Sequence, residues 1–377
     1  MTFEEKQFEL QERFGDKIAK ILNSQKFKDY CDYESQKYSG DLYRLGTMFQ
    51  KIATCRRESG KNFDNTLPDP KLTREVIQKE TLGFYEELDK LTNSKHHFTD
   101  KVKEQLKFVK FTNNRSSVSL QGNDKFVAKT IQLSDEPIVN NRTTATHEAW
   151  HAIDQRNYKP DPQNVGKGNH FLGEIGSIFI EKQASEYIKS QNANDQELCK
   201  KLDYTTNISH KLRDVDKARE AYADYLILTA ISGSSENIKQ WAQEELINNY
   251  KVLWGPNMLG RKLDQITNFI DTPNSHIDLM YEGRYIVANV INEGLEHSDL
   301  SLAEKVELMT QLNNNLITIE NLDKDNLQND FDIITNHFGI SSIETLTQQY
   351  STTINNTPNI PFTTANVSSN IFNQDGK

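Results

Sequence analysis

Apolar positions in the N-terminal third recur at intervals of three and four. Phe8, Phe14, Ile18, Ile21 and Leu22 keep helical spacing, as do Leu72, Val76, Leu82, Tyr85 and Leu88 after the break at Pro68-Asp69-Pro70. Residues 1–112 therefore read as a helical N-terminal region. It holds no catalytic constellation, His96 and His97 read as exposed, and its expected role is one wall of a cleft. The period changes after Asn113. Ser117–Leu120, the turn residues Gly122-Asn123-Asp124, and Phe126–Leu133 predict a short hairpin closed by Pro137. An unpaired strand edge there would align an extended peptide through backbone hydrogen bonds.

A helix is expected next, capped by Asn140, Asn141 or Thr143 and ended by Pro160 and Pro162. Another runs over 171–185. Most of it is apolar, yet Glu174, Ser177, Glu181 and Ser185 form one stripe, and a buried carboxylate is costly unless paired or bound to metal. Helices follow at 218–231 and 235–252, then a break at Gly255-Pro256, a helix at about 280–295 and two more within 301–349. From Ser351 onward Thr, Asn, Ser and Pro prevail with little periodicity, which reads as a disordered tail. The expected fold is mainly α, with a small hairpin or sheet beside the helix that follows it. The expected division is a helical wall at 1–112, a catalytic region at 113–350 and a tail at 351–377.

Composition narrows the partners. A hydrophobic content of 36% and a mean hydropathy of -0.72 describe a polar chain, and a net charge of -10 argues against nucleic acid. Cys31, Cys55 and Cys199 are odd in number and far apart, as expected of reduced thiols. No signal pattern opens the chain, and its most apolar run, Tyr225–Ile231, is too short to span a bilayer. A cytoplasmic location follows, or export without a cleaved signal. No membrane partner is expected, and the oligomeric state is open.

The chemistry is concentrated at His147-Glu148-Ala149-Trp150-His151. On a helix, residues four apart lie one above the other, so His147 and His151 can reach one metal ion. Glu148, about 100° around the axis, can reach a water on that ion without binding the metal itself. This is the H-E-x-x-H arrangement of zinc hydrolases. A catalytic zinc takes three protein ligands, and Glu174 on the next helix suits the third place. Glu181 or Asp154 is placed to orient an imidazole. Glu220, in Glu220-Ala221-Tyr222-Ala223-Asp224, is a rival third ligand, and His170 lies a turn before Glu174.

His147-Glu148-x-x-His151 followed by Glu174-x-x-Ser177-x-x-x-Glu181 resembles the M3 peptidase family of thimet oligopeptidase, neurolysin and oligoendopeptidase F. Phe171–Glu181 is close to the oligoendopeptidase version. His276-Ile277-Asp278-Leu279-Met280-Tyr281-Glu282-Gly283-Arg284-Tyr285 resembles a third block of that family. The resemblance covers about 115–300 and implies a mostly helical gluzincin, a zincin-type metallopeptidase holding one zinc ion. Peptide or protein substrates would be hydrolysed with Glu148 as base and His276, Tyr281 and Tyr285 stabilising the oxyanion. Trp150 stands where the family usually has Gly, Ala288 where it has a further tyrosine, and the chain is much shorter. Two alternatives remain. Glu220 with His151 and Asp154 resembles the zinc helices of the lethal-factor proteases, and a catalytically silent metal- or peptide-binding protein would fit the departures.

Overall fold

The computed structural model describes residues 1–37, 41–55, 67–106, 109–112, 117–121, 127–134, 136–153, 174–253, 255–318, 330–358 and 362. Helix α1 (Phe3–Asn23) opens on a capping box in which Thr2 accepts from the Glu5 N–H and Glu5 reaches back to Thr2. There follow α2 (Gln25–Lys37), α3 (Leu42–Ala53), α4 (Arg74–Leu91), capped by Thr73, and α5 (Phe98–Leu106). Strands β1 (Val109–Thr112), β2 (Ser117–Gln121) and β3 (Val127–Ser134) lead into α6 (Asn140–Ile153) and α7 (Ile175–Gln191). Helix α8 (Gln196–Asp203) passes through a wider π turn, Tyr204–Ser209, straight into α9 (His210–Ser232). The rest is α10 (Glu236–Leu253), α11 (Gly255–Asp271), α12 (Gly283–Glu296), α13 (Leu302–Thr318), α14 (Asp330–Phe338) and α15 (Ile343–Asn356). The fold is mainly α-helical, as the periodicity predicts.

One apolar core joins the chain from Leu10 in α1 to Ile354 in α15. Its middle is α9, which packs on α2, α3, α10 and α12, with Val215, Leu226 and Leu228 fully buried. Helix α6 lies between α4, α5, α7 and β3. Two contacts fix its place: Tyr85 in α4 donates to the Thr146 carbonyl at 2.8 Å, and Arg142 pairs with Asp69 at 2.5 Å and with Glu80 of α4.

Two expectations are corrected here. Strands β2 and β3 pair antiparallel, as a hairpin should, but β1 adds to β3 in parallel, with Val109 opposite Ile131. The order is β1-β3-β2, so the strand leading to α6 is central, and the open edges among the described strands belong to β1 and β2. A boundary at 112/113 would run through this sheet. The tail expected from Ser351 does not begin there either. Helix α15 runs to Asn356, Ser351 and Ile354 are buried, and Thr353 bonds Glu293 of α12. Phe362 then packs edge-on against Tyr204, with ring centroids 5.2 Å apart. A chain ending at Tyr350 loses the fully buried Ile354, and emptying such a site costs about 2–5 kcal/mol. We expect a clearly lower urea midpoint for it than for a chain ending at Phe362; equal midpoints would count against this packing.

Candidate metal centre

Helix α6 presents His147 and His151 one turn apart, with ring centroids 4.8 Å apart and planes at 74°. Their Nε2 atoms lie 3.1 Å from each other. Glu174, at the N-cap of α7, brings Oε2 to 3.2 Å from His147 Nε2 and 3.3 Å from His151 Nε2. Among the described residues these three form a group able to hold a metal ion. The donor chemistry agrees. His147 Nδ1 lies 3.1 Å from Glu181 Oε2, and donating there leaves a lone pair on Nε2. His147 Nε2 thus faces a carboxylate oxygen and a second imidazole nitrogen, and with its proton displaced the three atoms could hold one cation. Ligands about 2.0–2.1 Å from a tetrahedral zinc stand roughly 3.3–3.4 Å apart, close to all three edges.

The carboxylates around this triangle are held in different states. Burial opposes the charge on Glu174, yet the two imidazoles hold it well below the usual carboxylate range. Desolvation also opposes the charge on the half-buried Glu181, but His147 and the Thr143 hydroxyl at 3.1 Å bring it down to about 2. Burial works against His147 as well, and its bonds to Glu174 and Glu181 lift it well above an ordinary imidazole. Glu148 differs from both acids. Burial pushes it above its ordinary value against the pull of the imidazoles, and among the described residues nothing hydrogen-bonds its carboxylate. A buried carboxylate of raised proton affinity, on the helix of both histidines and without a hydrogen bond from any described residue, is suited to general base work.

Ser177, a turn after Glu174, donates to Glu174 Oε2 at 3.2 Å. Trp150 is buried against Gly176, where a Cβ would run into the indole. The bulk at 150 is thus accommodated by the absence of a side chain on the facing turn of α7.

The third block of the sequence divides. Tyr281 and Tyr285 come to the centre through Arg284, which the sequence did not single out. Its Nε lies 3.4 Å from Glu174 Oε1, its guanidinium covers the Tyr281 ring at 3.7 Å, and its Nη2 donates to the Tyr285 hydroxyl at 3.0 Å. Tyr281 is 42% exposed. His276 is also exposed, on a non-helical stretch before α12, and no described contact ties it to the triangle. Ala288 is fully buried in the core. The turn before Tyr281 is strained, since Met280 has φ +63°, a region that costs a side-chain-bearing residue energy. Asp224 Oδ2 holds it by accepting the Met280 N–H at 3.0 Å.

That contact settles where the rival acids lie. Asp224 pairs with Lys262 at 2.8 Å, and Glu220 faces the same ammonium at 3.9 Å. Both acids face a lysine, and neither joins the triangle. Asp154 and His170 lie outside the described residues. Among the described residues no helix is long and apolar enough to cross a membrane. No protein-family model, curated protein or solved structure matches this chain.

Proposed function

We propose that the chain is a zinc metallopeptidase of the zincin type, similar to the M3 peptidases, with His147, His151 and Glu174 as its metal ligands. The observation that carries the reading is the convergence of two Nε2 atoms and one carboxylate oxygen, with Glu148, which no described residue hydrogen-bonds, on the same helix. Zinc held there would polarise a scissile carbonyl and bring the pKa of water down towards about 7. Glu181 keeps the His147 ring turned so that Nε2 points inward. Glu148 takes the proton from the attacking water on its carboxylate and hands it to the nitrogen of the leaving amine. Tyr285 accepts from Arg284, so its own O–H is left to donate to the developing oxyanion, with Tyr281 beside it. His276 has a weaker claim on that role, given its exposure. The expected substrate is a peptide or protein, and the net charge of -10 weighs against nucleic acid.

Metal titration tests the ligand set. Wild type and Glu220→Ala should each bind one zinc per chain. His147→Ala and Glu174→Ala should lose it, and chelation should stop cleavage of a peptide library read by mass spectrometry. If Glu220→Ala empties the site and Glu174→Ala does not, the lethal-factor-like assignment takes over. Full zinc occupancy with no library peptide cleaved would favour the silent binding protein.

A further inference from the structure

Two cations stand beside the triangle with more donors than acceptors. Arg284 carries five N–H donors, and among the described residues only Nη2 makes a hydrogen bond, to Tyr285. Among the described residues its buried Nε finds no hydrogen-bond acceptor, because Glu174 Oε1 at 3.4 Å is not in bonding geometry. Lys217, from α9, sits over the face of Tyr285 with Nζ 3.5 Å from the ring centroid. It pairs with Glu282 at 3.7 Å and is also drawn to Asp214, and among the described residues it forms no hydrogen bond. The two side chains are 18% and 22% exposed, so solvent reaches them while most of each is desolvated. The guanidinium carbon lies 3.7 Å from the Tyr281 ring centroid and 4.9 Å from that of Tyr285, and a planar fork packed on two rings is a geometry that receives a carboxylate.

We infer that Arg284, with Lys217 beyond Tyr285, binds a carboxylate of the peptide substrate, either its free C-terminus or an acidic side chain. The site would then select peptides that carry negative charge close to the scissile bond. This rests on the peptidase reading, but its test does not need turnover. Zinc-loaded Glu148→Gln protein is titrated with short N-terminally acetylated peptides, followed by isothermal titration calorimetry. One is a neutral alanine–phenylalanine peptide amide, one the same peptide as free acid, and one the amide with a single alanine replaced by glutamate.

A charge-assisted bond of this kind predicts that the free acid, the glutamate peptide or both bind about 10- to 100-fold tighter than the neutral amide. Which of the two gains identifies the source of the carboxylate. Adding Arg284→Gln should remove the difference while zinc content stays at one per chain, and Arg284→Lys should restore part of it. Equal binding of all three peptides, or no binding of any, overturns the inference. So does an Arg284→Gln protein that keeps its preference for the acid, because the carboxylate would then be held elsewhere. The comparison among peptides uses protein with Arg284 intact, so it stands even if a variant fails to fold. Absent cleavage by wild type, by contrast, would count against the peptidase reading alone.

Discussion

A Glu148→Gln protein should bind zinc like the wild type and lose about 10²–10⁴-fold in kcat/KM for peptides, the usual worth of a positioned acid–base group. The amide has nearly the shape of the carboxylate, and Glu148 is neither part of the ligand triangle nor hydrogen-bonded to a described residue. Folding and metal content therefore have no reason to change. What the amide lacks is a basic oxygen to take the water's proton and give it to the leaving nitrogen. Because that proton is in flight only in the transition state, kcat should fall with kcat/KM while KM changes little. Cleavage at the wild-type rate by a zinc-replete Glu148→Gln protein would remove Glu148 as the base.

How far the sequence revealed this arrangement depends on how local each relation is. His147, Glu148 and His151 are fixed by one helical turn, so their geometry follows once the helix is granted. Glu174 and Glu181 were legible because a carboxylate stripe on an apolar helix demands partners, and α7 gives both to the α6 histidines. Arg284 was not legible. Between two tyrosines it reads like any cation on a helix, and its link to Glu174 exists only because α7 and α12 pack together. His276 is the reverse case, since the family resemblance joined it to Tyr281 while the non-helical stretch between them leaves it exposed. The parallel pairing of β1 escaped because a strand of four residues has too few alternations to read, and its partner lies beyond β2. Helix α8 is dominated by charged residues, and its apolar signal amounts to Leu198 and Leu202. In α15 the polar run after Ser351 hid Ile354, a single apolar residue one turn beyond Tyr350.

Replacing Arg142 by Met should lower stability by about 3–5 kcal/mol. Arg142 is 3% exposed and sits in the first turns of α6, five residues before His147. It neutralises Asp69, in the segment before α4, and Glu80, in α4, and both carboxylates are largely withdrawn from water. Met fills much the same volume, so little of the loss comes from a cavity. The cost arises because two buried acids are left without a cation, and one of them is already pushed up by burial even with Arg142 present. Either acid can escape by taking a proton, so the deficit against wild type should narrow as pH falls. Combining Arg142→Met with Asp69→Asn and Glu80→Gln should recover much of the loss, since no unpaired charge then remains. The measurements are urea unfolding of the three proteins and zinc affinity of those that fold. A midpoint for Arg142→Met equal to wild type would mean that this cluster does not anchor α6. A lowered midpoint with unchanged zinc affinity would mean that the triangle is held by α7 and α6 alone, without help from the anchor at the start of the helix.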